Sequence, residues 1–71
     1  MKIFNSQDYT MADYCYIYIN FFKEADCYEI VGVLPSGTEK IIKRFNTHKE
    51  ATEYFKVIKK RFSNGAKMFI I

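Results

Sequence analysis

From Tyr14 to Leu34, two runs of β-branched and aromatic residues are separated by one short polar break, and few folds accommodate that pattern. The first run is Tyr14-Cys15-Tyr16-Ile17-Tyr18-Ile19-Asn20-Phe21-Phe22. The break is Lys23-Glu24-Ala25-Asp26, and the second run is Cys27-Tyr28-Glu29-Ile30-Val31-Gly32-Val33-Leu34. Side chains that branch at Cβ or carry rings fit a pleated, half-buried surface, so the two runs read as the arms of a β-hairpin. Successive side chains on a strand alternate between faces. Cys15, Ile17, Ile19 and Phe21 therefore share one face, and Tyr14, Tyr16, Tyr18 and Asn20 the other. A turn that sets Phe22 opposite Cys27 pairs Tyr16 with Val33, Tyr18 with Val31 and Asn20 with Glu29. The apolar face then continues through Tyr28, Ile30, Gly32 and Leu34, with mid-strand Gly32 expected to make room for Phe55.

Lys2-Ile3-Phe4 reads as a short strand and Asn5 to Asp13 as a loop, with Tyr9 and Met11 packing on an edge. Leu34-Pro35-Ser36-Gly37-Thr38 is a turn, because proline presets φ and glycine accepts a positive φ. A third strand, Glu39 to Phe45, follows. A bulge at Gly37 would flip its faces, which leaves the sides taken by Ile41 and Ile42 open. Thr47-His48-Lys49-Glu50 matches a capping box. Ala51, Tyr54, Phe55, Ile58 and Phe62 then recur at helical spacing, and Gly65 is placed to end the helix in a left-handed conformation. Lys67 to Ile71 is a closing strand, expected beside the first arm of the hairpin.

The expected fold is α+β: a small antiparallel β-meander in the order β-β-β-α-β, with one helix packed on one face of the sheet. A single domain spans residues 1–71. It comprises an N-terminal segment (1–13), a three-stranded meander (14–45), a helix (47–63) and a closing strand (67–71).

A chain of 71 residues buries only about 60% of its unfolded surface, so disulfides, a metal or an oligomer are its usual supports. Its net charge of +3 is too small to imply nucleic acid by itself. The distribution says more. Residues 1–39 carry Lys2 and Lys23 against six acidic side chains, a net −4. Residues 40–71 carry nine Lys or Arg against Glu50 and Glu53, a net +7. Two such halves attract each other, within one molecule or between two. Phe, Tyr, Ile, Asn, Lys and Met, all encoded by AT-rich codons, are abundant together. This suits a bacterial or phage genome and discounts aromatic richness as a sign of base stacking. The start of the chain turns polar too early for a signal segment, and no apolar run approaches the roughly 18 residues of a membrane span. A cytoplasmic protein with no membrane contact is expected.

Chemistry-bearing residues are sparse. Cys15 and Cys27 are the only cysteines. In the hairpin register Cys15 lies roughly 24 Å along the strand from the position facing Cys27, too far for a disulfide. Free thiols in a reducing compartment follow. His48 is the only histidine, and one His with two separated Cys does not make a zinc spacing. A Cys–His nucleophile would need a cysteine carried to the helix start, with no oxyanion-forming loop at hand. Glu50 belongs to the cap, Glu53 to surface pairs with Lys49 or Lys56. Gly32, Gly37 and Gly65 are isolated, so no phosphate-cradling loop is present. No catalytic residue, metal, cofactor or small-molecule substrate is expected.

What remains is a surplus of apolar surface. One helix covers one face of the sheet, yet the second face carries Tyr14, Tyr16, Tyr18, Val31 and Val33. Large exposed apolar patches usually mark contact surfaces. The expected function is a non-catalytic binding module. Those five residues would meet a second copy, most simply in a dimer, or another protein, unless the N-terminal segment roofs them over. The alternative is a nucleic-acid-binding regulator using Lys56, Lys59, Lys60 and Arg61 on the helix. Tyr16 and Tyr18 on an open sheet resemble the stacking platform of RNA-recognition motifs. The element order differs, however, and the signature strand is absent. A solvated lysine face on an amphipathic helix explains the same charges.

Overall fold

The computed structural model describes residues 1–71 and contains six strands and one helix in two sheets. In chain order these are β1 (Lys2–Asn5), β2 (Thr10–Asp13), β3 (Tyr16–Phe22), β4 (Cys27–Val33), β5 (Glu39–Phe45), α1 (His48–Ser63) and β6 (Phe69–Ile70). The larger sheet is an antiparallel meander in the order β3-β4-β5. The hairpin register is the expected one, with Tyr16 opposite Val33, Tyr18 opposite Val31 and Phe22 opposite Cys27. The polar break forms one 3-10 turn, Lys23–Ala25. Asp26, at φ 48, closes it by donating its N–H to the Lys23 carbonyl at 3.2 Å.

The third strand contains a bulge, but not at Gly37. Ile30 faces Lys43 while Val31 faces Ile41, so Ile42 is the extra residue. A bulge inserts one unpaired residue and so shifts the face taken by every residue beyond it. Ile42 lies in the core and Ile41 on the opposite, open face, as alternation from Glu39 gives, and the bulge then places Arg44 on the open face beside Glu29.

Two corrections concern the chain before β3 and after α1. Residues 5–13 are not all loop: only 6–9 form a turn, and β2 pairs antiparallel with β1, Phe4 opposite Met11. The Asp8 carboxylate fixes the connection by accepting from the Thr10 N–H at 3.1 Å and its hydroxyl at 2.6 Å. Tyr9 takes the left-handed conformation there, at φ 58. The closing strand does not join β3. It pairs parallel with β1, Ile3 opposite Phe69, giving a second sheet in the order β2-β1-β6.

The helix begins as expected. Thr47 Oγ1 accepts from the Glu50 N–H at 3.2 Å, but its hydroxyl, rather than its amide, meets the Glu50 carboxylate at 2.9 Å. Gly65, at φ 89, ends the helix and donates to the Phe62 carbonyl. The helix and the small sheet share one side of the meander. Ile3, Tyr14, Ile17, Ile30, Ile42, Ile58 and Phe69 form one core there. Ile30 and Ile58, both fully buried, each contribute on the order of 2–3 kcal/mol. No element lies on the other side of the sheet, and the N-terminal segment does not roof it.

Tyr14 departs most from expectation. The chain bends at Tyr14–Cys15 before β3 begins at Tyr16, so strand alternation does not extend to it. Its ring lies in the core, 8% exposed, over Gly32, where an added Cβ would stand 2.5 Å from Tyr14 Cδ1. Gly32 therefore makes room for Tyr14 rather than Phe55. No helix is long and apolar enough to cross a membrane.

Candidate functional site

The open side of the meander is built in cross-strand rows, each read from β3 through β4 to β5. One row is Tyr16, Val33 and Glu39; the next is Tyr18, Val31 and Ile41; the third is Asn20, Glu29 and Arg44. In the first two rows the central residues, Val33 and Val31, are short and the flanking ones longer, so the flanks fold inward over the middle. The Tyr18 hydroxyl donates to Glu39 Oε1 at 2.6 Å, a bridge from β3 to β5 over the intervening valines. Arg44 Nε donates to Glu29 Oε2 at 2.8 Å. Val31, Val33 and Glu29 are consequently buried on a face that no other element covers. The Glu39 hydrogen bond, more than burial, raises the Tyr18 pKa above its ordinary value, and the Glu29 hydrogen bond raises that of Arg44. No buried side-chain polar atom lacks a partner.

The expected contact set divides accordingly. Tyr16 is 54% exposed, and its ring lies 6.4 Å from that of Tyr18, which is half-buried. Val31 and Val33 form the floor and are out of reach of a partner. Tyr14 is on the far side of the sheet and drops out. Ile41 (48% exposed) and Phe22 (38% exposed) take the vacated places. Phe22 was legible as a strand residue on this face. Ile41 was a candidate for this face whose side the bulge left open, and Glu39, which holds Tyr18, gave no signal beyond its place in a strand.

The basic set is exposed but splayed. At about 100° per helical residue, Arg61 lies about 140° around α1 from Lys56. Arg61 stands over the Phe69 ring at 5.7 Å and Lys59 over Phe55 at 5.6 Å, contacts that draw both toward the core. Lys56 and Lys60 project into solvent.

The remaining chemistry does not converge. His48 contacts Thr52 and the Tyr28 ring on the helix side of the sheet. Cys27, adjacent to Tyr28 in β4, points to the other side, and Cys15 lies at the opposite end of the hairpin. No group of three His, Cys, Asp or Glu side chains is assembled as a metal cage. A cleft of about 690 Å³ opens between the bulged part of β5 and the β1–β2 connection. Asn5, Ser6, Gln7, Ile71 and the segment Ile41 to Arg44 line it; its one hydroxyl, that of Ser6, donates to the Ile71 main-chain oxygen at 2.6 Å, and the wall carries no histidine, cysteine or carboxylate side chain to activate it. Compared with known proteins, the chain matches no family model, no curated protein and no solved structure.

Proposed function

We propose that this chain is a non-catalytic binding module that works through protein–protein contacts on the open side of its three-stranded sheet. The observation that carries the reading is the disposition of Tyr16, Phe22 and Ile41. All three are exposed on a face whose floor is already packed and whose central tyrosine is tied to Glu39. Aromatic side chains on a rigid sheet lose little conformational freedom on binding, which suits them as anchors. The free thiols of Cys15 and Cys27 support a reducing, cytoplasmic setting, and the AT-biased composition supports a bacterial or phage source.

The test is a Tyr16→Glu/Ile41→Glu double variant compared with wild type by sedimentation velocity and by copurification from the native host. Both positions face solvent, so the fold should survive. Val31 would be a poor choice, because a carboxylate there enters the packed floor. The double variant should lose whatever association the wild type shows. A wild type that stays monomeric at millimolar concentration and recovers no partner overturns the reading. Lys56 and Lys60, exposed together on α1, favour one other reading, nucleic-acid binding. Binding of labelled DNA or RNA that weakens steeply with salt would establish it in place of the first.

A further inference from the structure

Two sheets have four outer edges, and three of them are protected. β5 carries Glu39, Lys40, Lys43 and Arg44 and is interrupted by the Ile42 bulge. β2 has four residues and ends on Asp13, and β6 has two. Charges, bulges and short length are the usual devices that keep a sheet edge from pairing with another chain. β3 has none of them. Its seven residues, Tyr16 to Phe22, contain no charge and no proline, and their register with β4 runs without interruption. β3 is also outermost in its sheet, with β4 as its only neighbour. Apart from the β3–β4 ladder and the 3-10 turn that starts from Phe22, no turn, loop or side-chain hydrogen bond inside the chain reaches the main chain of Tyr16 to Phe22. The outward N–H and C=O groups of this strand therefore have no internal partner.

We propose that β3 is the edge by which two copies of this chain join, antiparallel about a two-fold axis at Ile19, into one continuous six-stranded sheet. The inference rests on the reading of the chain as a protein-binding module and names its partner as a second copy. No charge opposes self-pairing here, and the strand is self-complementary in register. Antiparallel pairing about Ile19 sets Tyr16 opposite the second copy's Phe22, Ile17 opposite its Phe21 and Tyr18 opposite its Asn20, with no charged residue in any pair. The same register brings exposed groups together. Tyr16 and Phe22 cover each other across the seam on the open side, and Phe21, 46% exposed, gains cover on the helix side. The contact is isologous and closes at two copies, because each copy has only one such edge. The two open faces become one surface of doubled width.

The register supplies a charge-swap test by analytical ultracentrifugation, with circular dichroism to confirm folding. Tyr16→Lys/Phe22→Lys sets like charges opposite each other twice across the seam and should raise the dissociation constant about tenfold or more. Tyr16→Glu/Phe22→Lys sets opposite charges there and should restore the dimer. Loss of the dimer in the first variant and its return in the second support the proposal. A monomeric wild type overturns it, and so does equal dimerisation in both variants. A dimer lost in both variants and also in Ile41→Glu, on the far strand of the same face, overturns the edge while leaving the face reading standing. Amide hydrogen exchange of the wild type needs no variant. Amides of Tyr16 to Phe22 should exchange more slowly in concentrated than in dilute protein, and those of Glu39 to Phe45 should not change. Equal exchange of the β3 amides at both concentrations overturns the proposal.

Discussion

At the scale of single residues, the contact between Tyr14 and Gly32 decides how the small sheet meets the large one. The Tyr14 ring lies where a side chain at position 32 would begin. Gly32→Ala should therefore destabilise the fold by about 1–3 kcal/mol, the usual cost of overpacking. In a Tyr14→Ala background the same substitution should cost far less, because the ring it strikes is gone. Urea denaturation of the four members of this double-mutant cycle measures the coupling. Additive effects would mean that the backbone, and not the ring, excludes a side chain at position 32. A mid-strand glycine in the sequence correctly signalled close approach by a large group. The identity of that group was illegible, because a bend at Cys15 reverses the parity that alternation assigns to Tyr14.

At the scale of elements, the hairpin register was legible and the bulge was not. Seven consecutive pairings follow from where one turn closes, and that turn is marked by charged residues between two apolar runs. In β5, by contrast, Ile41 and Ile42 are adjacent and chemically identical, so no pattern says which one faces the core. The strands of the small sheet were harder still. β1 and β6 were legible as apolar strands but their pairing with each other was not, and β2, four residues with no periodicity, was read as loop because only its pairing with β1 specifies it. The outer strands of the meander are tied by the Tyr18–Glu39 hydrogen bond, which gives a pH dependence with a definite sign. The folded state raises the Tyr18 pKa, so it holds that proton more tightly than the unfolded chain does. The contribution is complete below the ordinary tyrosine pKa of about 10 and is lost as pH rises through the raised value. Tyr14 and Tyr54 are raised too, by burial, and add to alkaline sensitivity on their own account. The difference between wild type and Tyr18→Phe isolates the bridge. Urea midpoints should separate the two proteins at pH 8 and converge as pH rises past the tyrosine range. A gap that stays constant would mean that the hydroxyl contributes through packing alone.

At the scale of the molecule, two layers stand on one side of the meander and none on the other. The acidic and basic halves of the chain do little to tie it together internally, since Glu29–Arg44 is the only ion pair between two side chains. A domain of 71 residues is expected to be stable by about 4–11 kcal/mol, so an external contact is a large addition. If folding is completed by pairing at β3, unfolding also separates two chains, and mass action links the midpoint to concentration. Each tenfold rise in concentration then adds about 0.7 kcal/mol per chain, or about 3–5 °C in Tm for a domain of this size. Scanning calorimetry over two decades of concentration should show that slope for wild type and for Tyr16→Glu/Phe22→Lys, and a lower midpoint at every concentration for Tyr16→Lys/Phe22→Lys. A wild-type midpoint independent of concentration would mean that the small core, with Ile30 and Ile58 at its centre, holds the fold without help, and that the bare strand is a tolerated exposure rather than a contact.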